Sequence, residues 1–189
     1  MPRCFKGEDF GSIKTVELHN LSDANQEGYG QCSYLRLVNQ ENRAHCLFVV
    51  GKARVTPLKQ STIPWLQLAA TTTCAKMSNF LRTELIYQEM VEYFHTDSPI
   101  LVVYIKNETR RFHLFIANRI QQIREISDPN ARKYVDMIQN PADDASRGLT
   151  ARQLLDGLCW LTGPELVWKG SPLRLKSQQS TYYMKQTQR

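Results

Sequence analysis

The sequence predicts an α/β protein in which three antiparallel strands are followed by helices that alternate with two further strands. Three apolar or alternating runs with short polar links between them, at residues 15–21, 32–38 and 45–50, predict the antiparallel strands. Apolar residues at helical spacing after Pro64 then predict a long amphipathic helix that lies on the sheet. With 189 residues, 42% of them hydrophobic, the chain is long enough for one domain with a sizeable core.

The second half of the chain continues the α/β pattern. A fourth strand is predicted over residues 90–96. Ser98 and Pro99 then predict the start of a short helix, although residues 100–105 favour a strand by propensity. The remaining predictions are a helix over 112–123, a fifth strand over 133–138, and a last helix that Thr150 caps and Gly163-Pro164 ends. The predicted organisation is a lead-in at 1–14, a domain at 15–168 and a polar tail at 169–189.

Composition narrows the possible functions of the chain. Five widely spaced cysteines without paired spacing favour free thiols over disulfides or zinc ligands. No apolar run is long enough for a membrane span, and the N-terminus lacks the pattern of a secretion signal. We therefore expect a cytoplasmic or nuclear protein with no membrane partner. The net charge of +6 suits a polyanionic partner such as nucleic acid.

Acidic residues follow predicted strands at three places. Asp23 and Asp97 each end an apolar run, and Asp143 lies next to Asp144 in a predicted turn between Pro141 and Gly148. Two adjacent carboxylates repel each other, and either a divalent cation or a helix N-terminus would offset that repulsion. For the Asp143-Asp144 pair alone, a helix cap in a charged surface turn explains the pattern equally simply.

Asp23, Asp97 and Asp143 could converge, because strand ends and helix starts meet at one edge of an open sheet. Converging carboxylates are what magnesium prefers, and two such ions can hydrolyse a phosphodiester. The sequence has no phosphate-binding glycine loop, nucleophile elbow or paired-cysteine motif that would indicate another chemistry. Its four histidines are dispersed, and Lys106, Arg110 and Arg111 could either contact phosphates or form a solvated surface.

Seven short motifs, in this order and spacing, resemble the ribonuclease H-like region of BEL/Pao-type LTR retrotransposon polyproteins over roughly residues 1–168. The motifs are Ser22-Asp23-Ala24 with Gly28-Tyr29-Gly30, Lys52-Ala53-Arg54-Val55-Thr56-Pro57-Leu58-Lys59, Thr62-Ile63-Pro64-Trp65-Leu66-Gln67-Leu68, Thr96-Asp97-Ser98, Phe115-Ile116-Ala117-Asn118-Arg119, Asn140-Pro141-Ala142-Asp143 with Ala145-Ser146-Arg147-Gly148, and Trp160-Leu161-Thr162-Gly163-Pro164-Glu165.

The resemblance implies a ribonuclease H-like fold, a five-stranded mixed sheet of three antiparallel strands and two parallel additions flanked by helices. It also implies metal-dependent hydrolysis of the RNA strand of RNA–DNA hybrids, with Mg²⁺ or Mn²⁺. By motif position, Asp23, Asp97 and Asp143 match the metal-binding aspartates, and Asp143 is preferred to Asp144 because it directly follows Asn-Pro-Ala. In such polyproteins the region lies between reverse transcriptase and integrase.

The chain departs from the family pattern at the start of the long helix. Where the family has Arg-Leu-Glu-Leu after Ile-Pro, this chain has Trp65-Leu66-Gln67-Leu68, so the catalytic glutamate of the helix is replaced by the neutral Gln67. The segment after Asp97 also differs, with Pro99-Ile100 where a polar residue normally follows the serine. Because magnesium dehydrates reluctantly, the loss of one negative charge would weaken its binding.

Three hypotheses follow from this departure. The first is a degenerate ribonuclease H-like domain that still binds hybrid or duplex nucleic acid. The second is a working nuclease that tolerates Gln67 or recruits Asp144 or Glu17 in its place. The third is a non-enzymatic interaction protein that reuses the fold.

Overall fold

The computed structural model describes residues 8–58, 61–107, 112–156 and 158–169. Short 3-10 turns lie at Glu8–Phe10, Pro129–Ala131 and Met137–Gln139. The strands are β1 (Ile13–Ala24), β2 (Gly28–Asn39), β3 (Ala44–Val55), β4 (Met90–Thr96) and β5 (Arg132–Tyr134). The helices are α1 (Ile63–Glu84), α2 (Pro99–Lys106), α3 (Leu114–Ile126), α4 (Ala142–Arg147), α5 (Ala151–Asp156), α6 (Leu158–Thr162) and α7 (Glu165–Lys169).

The five strands form one mixed sheet in the order β3-β2-β1-β4-β5. Strands β1, β2 and β3 pair antiparallel, whereas β4 runs parallel to β1 and β5 runs parallel to β4. The parallel pairs require crossover connections, which α1 and then α2 with α3 provide. The predicted fold class, a ribonuclease H-like mixed sheet of three antiparallel strands and two parallel additions, is confirmed.

Alternation along the central strands gives the sheet two apolar faces. On one face Leu18, Leu35 and Leu37 pack with Leu81 of α1. The opposite face is covered by the short C-terminal helices, and its core consists of Leu21, Cys32, Tyr34, Cys46, Val135, Ala142, Leu166 and Val167. The predicted amphipathic helix is confirmed as α1, which begins one residue before Pro64. Helices α2 and α3 pack beside it through a separate apolar cluster that includes Ile105 and Ile120.

Strand ends differ from the sequence predictions because backbone pairing continues beyond the apolar runs. Strands β1 and β2 pair from Ile13 to Ala24, so β1 begins inside the predicted lead-in. The third strand passes the predicted end at residue 50, because Gly51 pairs with Cys32 and pairing continues to Val55. Conversely, β5 ends at Tyr134, because Asp136 caps a 3-10 turn by accepting a hydrogen bond from the backbone N–H of Ile138.

The C-terminal part of the domain contains the largest corrections. The predicted turn at Asp143 and Asp144 is the short helix α4, which starts directly after Pro141 and ends at Gly148 with φ of 81°. The single last helix is instead α5 and α6, and the following α7 was not predicted. The predicted tail beyond Lys169, residues 1–7 of the lead-in, and Arg110 and Arg111 lie outside the described residues.

The described part of the chain bears on the predictions about membrane spans and cysteines. No helix there has the length and apolar character needed to span a membrane. Cys32, Cys46 and Cys74 are buried, and none of the three is in a disulfide within the described residues. Burial raises the pKa of Cys46 and of Cys74 to about 12, so both remain protonated at neutral pH.

Candidate active site

Two of the predicted aspartates meet where β1 and β4 end at the same edge of the sheet. Ser22 of β1 pairs with Thr96 of the parallel strand β4, so Asp23 and Asp97 are placed side by side. Asp23 is buried and Asp97 is half-buried, and they lie close enough for each to shift the pKa of the other. The predicted convergence of these two residues therefore follows directly from the register of the parallel pair.

The two carboxyl groups perturb each other electrostatically. Burial, together with the charge of Asp23, raises the pKa of Asp97 to about 7. Burial also raises the pKa of Asp23, although a hydrogen bond from Ser146 opposes that shift. The Asp97 Oδ1 atom is buried without a hydrogen-bond partner. Adjacent carboxylates in a partly buried position attract either a proton or a cation, so this pair has the chemistry of a cation ligand set.

The third predicted aspartate, Asp143, lies near the pair but has a partner of its own. Its negative charge contributes to the raised pKa of both Asp23 and Asp97. However, its Oδ1 atom accepts a hydrogen bond of 2.8 Å from Nε of Arg147, one turn later on α4. Asp143 would therefore have to leave Arg147 before both of its oxygens could bind a cation.

Ser146 joins helix α4 to the paired aspartates. Its Oγ lies 2.9 Å from Oδ2 of Asp23, to which it can donate, and it accepts a 3.0 Å hydrogen bond from Nδ2 of Asn25. The side chain of Asn140, just before the helix, donates to the backbone oxygen of Ser22. Sequence reasoning assigned no role to Ser146 or Arg147. The only sequence signal for them was their position in the motif that follows Asp143.

Two glycines of β2 allow α4 to approach the sheet. A Cβ atom on Gly30 would lie 2.7 Å from the Cβ of Ala145, and one on Gly28 would lie 2.6 Å from the backbone oxygen of Ser146. Both distances are shorter than real Cβ contacts, so a larger residue would push the helix away. The Gly28-Tyr29-Gly30 motif therefore positions Asp143 and Ser146 relative to Asp23.

Gln67 lies in the first turns of α1, and the cavity that it lines contains none of the three predicted aspartates. Gln67 is half-buried and lines a cavity of about 110 Å³ together with Ser98 and Leu101. Trp65, at the mouth of the same cavity, stacks on Phe115 with ring centroids 4.8 Å apart. Gln67 thus shares a cavity with Ser98, the residue after Asp97, and brings a neutral amide to it.

The two paired carboxylates could bind one divalent cation but could not surround it. Asp23 and Asp97 offer hard anionic oxygens, which fit magnesium or manganese. Within the described residues, however, no three His, Cys, Asp or Glu side chains cluster closely enough to hold a metal ion. Of the predicted site residues, Gln67 carries no charge and Asp143 is paired with Arg147.

The two substitutes that we considered for the missing glutamate differ in position. Glu17 lies six residues before Asp23 on β1, about 20 Å away at the rise of a strand. It pairs there with Arg36 at 3.0 Å and with His19 at 3.1 Å, so recruitment of Glu17 to the site is wrong. Asp144 adjoins Asp143, and its pKa is raised by burial and by the charge of Asp143.

Strand order, strand directions and an acidic pair at the carboxyl edge of β1 and β4 together define a ribonuclease H-like α/β protein. The sequence comparison is more specific, because residues 1–98 match the model of the Pao retrotransposon-like RNaseH-like domain. The chain belongs to this family. The matched segment contains Asp23, Gln67 and Asp97, whereas Asp143 lies beyond it. Among curated proteins, no sequence matches the chain.

Several solved structures are similar to the chain at low identity. RNase H1 from the halophilic archaeon Halobacterium salinarum NRC-1 is 10% identical, with 76% of this chain and 99% of that chain covered and a TM-score of 0.42. The N-terminal RNase H domain of rv2228c from Mycobacterium tuberculosis is 11% identical, with coverage of 72% and 95% and a TM-score of 0.43. LC11-RNase H1, solved in complex with an RNA/DNA hybrid, is 9% identical, with coverage of 74% and 99% and a TM-score of 0.46. The fold assignment rests on the sheet topology itself.

Proposed function

We propose that this chain is a degenerate ribonuclease H-like domain that binds RNA–DNA hybrid or duplex nucleic acid and cleaves it weakly or not at all. The observation that carries the proposal is the incomplete ligand set at the sheet edge. Asp23 and Asp97 are paired, but Gln67 replaces a charged residue and Asp143 is held by Arg147. A scaffold that keeps its acidic pair and loses one charge supports binding without efficient hydrolysis.

Proteins of this fold usually use divalent metal ions, and the aspartates of this chain are the residues that would hold Mg²⁺ or Mn²⁺. A bound cation would activate water and stabilise the leaving oxygen of a phosphodiester. Asp23 and Asp97 would bind it directly, and Ser146 would orient the Asp23 carboxylate. Asp143 would add a third anionic oxygen on release from Arg147. Gln67 would add only an amide oxygen, which compensates less of the dehydration cost of magnesium.

The expected substrate follows from family membership and charge. The chain belongs to a family of retrotransposon RNaseH-like domains, whose ancestral substrate we take to be the RNA strand of an RNA–DNA hybrid. The net charge of +6 favours a polyanion. We also propose that the ancestor of this domain was joined to reverse transcriptase and integrase, and that the protein acts in the cytoplasm or nucleus.

The test combines binding and cleavage on one labelled RNA–DNA hybrid, with Mg²⁺ or Mn²⁺ added. We expect salt-dependent binding by the natural chain and no cleavage above background. Cleavage that disappears in Asp97→Asn would instead establish the working nuclease, with Asp144 as the first residue to examine. Absence of hybrid binding at low salt would favour the non-enzymatic interaction protein.

A further inference from the structure

A second feature, separate from the acidic pair, is a basic groove beside the outer flank of α1. It encloses about 510 Å³ and is lined by Tyr29, Lys52, Arg54, Lys76, Phe80 and Arg119, with four smaller or apolar residues of α1 between them. Four of the lining residues are cationic and none is acidic. The cations come from three different elements, β3, α1 and α3, so the tertiary fold brings them together.

Three cations of the groove have no partner among the described carboxylates. Lys52 and Arg54 are exposed and lie two residues apart on β3, and therefore on the same face of that strand. Lys76 is exposed on α1. Among the described residues, no carboxylate forms an ion pair with any of these three, whereas Lys14, Arg43 and Lys169 elsewhere have polar partners. Unneutralised cations that converge on a concave surface attract polyanions.

The groove also presents aromatic rings. Phe80 is 54% exposed, which is high for a large apolar side chain on a helix that otherwise packs against the sheet. Tyr29 lies at the other end, where it pairs along the sheet with Ala24, the residue after Asp23. Proteins recognise single-stranded nucleic acid with two features. Cations line the path of the phosphate backbone, and aromatic rings stack on the bases.

We propose that this groove binds a single strand of nucleic acid, with its phosphates on Lys52, Arg54 and Lys76 and a base against Tyr29 or Phe80. The aromatic rings of the groove favour a single strand over a duplex, because the bases of a duplex are already stacked and paired and are not free to lie against them. Tyr29 pairs with Ala24 at the end of β1, so one end of the groove lies near that strand end, on the sheet face opposite to the Asp23 side chain. The proposal rests on the proposed nucleic-acid function and adds a second contact region to it.

The test measures binding of a labelled single-stranded RNA and, separately, of a blunt RNA–DNA hybrid by fluorescence anisotropy. The variant is Lys52→Gln/Arg54→Gln/Lys76→Gln, in which glutamine keeps much of each apolar stem and removes the charge. The control is Lys14→Gln/Arg43→Gln/Lys169→Gln, which removes the same number of charges outside the groove. Circular dichroism and the thermal midpoint establish that both variants are folded.

We expect the groove variant to lose about 100-fold in single-strand affinity at 0.1 M salt and to show a salt slope smaller by about two, since each phosphate contact contributes about 0.7 to that slope. The control should change the affinity far less. Equal losses in both variants, or no single-strand binding by the natural chain, would overturn the proposal. Binding of an acidic peptide or anionic vesicles through the groove with no binding of RNA would also overturn it.

The blunt hybrid distinguishes this proposal from the proposed function. Hybrid binding without single-strand binding would contradict the groove and leave the proposed function standing. Single-strand binding that depends on the groove, without hybrid binding at the acidic edge, would support the groove and contradict the proposed function.

Discussion

At the scale of single residues, the ionisation of Asp97 is unfavourable in the folded protein. Its pKa is about 7 in the folded protein, against an ordinary value of 3.8, because it is partly buried and faces Asp23. Between these two values the folded chain holds a proton that the unfolded chain has released, so folding stability decreases as pH rises through this interval. Above pH 7 the folded protein bears the full free-energy cost of ionising Asp97.

Asp97→Asn should therefore be more stable than the natural chain at pH 8 and nearly equal to it at pH 4. Solvent screening of a half-buried group reduces the expected gain to the order of 1 kcal/mol. Urea denaturation at the two pH values measures the difference. A gain at pH 4 as large as that at pH 8 would show that charge repulsion is not the cause. Mn²⁺ should raise the stability of the natural chain at pH 8 more than that of Asp97→Asn.

A buried histidine pair has the opposite pH dependence. His19 Nδ1 lies 3.1 Å from His95 Nε2, and His19 Nε2 lies 3.1 Å from Glu17. If His19 donates to Glu17, it accepts from His95, whose Nδ1 then has no partner. Burial lowers the pKa of both histidines, and that of His95 well below 6.5. Both imidazoles are therefore neutral in the folded protein at pH 7.

Because the unfolded histidines take up protons below about pH 6.5, stability should fall as pH decreases from 7 to 5, by on the order of 2 kcal/mol. The measurement is best made on Asp97→Asn, which removes the opposing contribution of that carboxyl group. Adding His95→Gln should reduce the fall in folding stability between pH 7 and pH 5. His113→Gln, a change at an exposed residue, should leave that fall unchanged. If stability falls as steeply between pH 7 and pH 5 in the His95→Gln variant, the buried histidine pair is not the cause of the fall.

At the scale of elements, the docking of α4 on β2 fixes the geometry of the site. The helix has only six residues and depends on the close approach that Gly28 and Gly30 permit. Its polar ties to β1 run through Ser146 and Asn140. The position of Asp143 is therefore determined by packing against glycine and not by the helix itself.

Gly30→Ala should displace α4 and destabilise the domain by about 1–3 kcal/mol, the usual cost of overpacking. Gly51→Ala is the matched control on the adjacent strand, where the new Cβ would meet only the side chains of Trp160 and Phe48 at 3.0–3.1 Å. Denaturant unfolding of both variants measures the contrast. A control that is destabilised as much as Gly30→Ala would mean that the contact with Ala145 has no special role.

The elements also show how far the sequence determines this fold. Helix α1 and strand β4 could be predicted because their apolar periodicity is long and uninterrupted. Helix α2 was identified from Ser98 and Pro99 despite strand-like propensities. Helix α4 was predicted as a turn, since six residues between Pro141 and Gly148 are too few to show a helical period. Strand β5 was predicted too long because its apolar residues continue into a 3-10 turn.

In the candidate site, too, some features could be predicted from the sequence and others could not. The pairing of Asp23 with Asp97 could be predicted, because both end neighbouring parallel strands. The pairing of Asp143 with Arg147 could not, because the choice between a helix-surface ion pair and the acidic edge depends on side-chain conformation in the folded protein. The link from Ser146 to Asp23 depends on contacts between residues far apart in sequence, which no local pattern indicates.

At the scale of the whole molecule, the domain combines a ribonuclease H-like sheet with the acidic pair of Asp23 and Asp97 at its edge. The sheet order, the crossover helices and the glycine-dependent docking of α4 are all present. The net charge of +6 and the basic groove beside α1 are features of a nucleic-acid-binding surface. We therefore attribute the proposed impairment of hydrolysis to the acidic edge, chiefly to the neutral Gln67 and also to the pairing of Asp143 with Arg147, and not to the fold.

The most direct test is Mg²⁺- or Mn²⁺-dependent cleavage of a labelled RNA–DNA hybrid by the natural chain, Gln67→Glu and Gln67→Glu/Asp97→Asn. We predict that the natural chain is inactive, that Gln67→Glu cleaves the RNA strand at least about 100-fold faster, as expected for restoring one electrostatic group, and that adding Asp97→Asn abolishes this gain. Cleavage by the natural chain at the rate of Gln67→Glu, or no cleavage by a folded, hybrid-binding Gln67→Glu variant, would contradict the account.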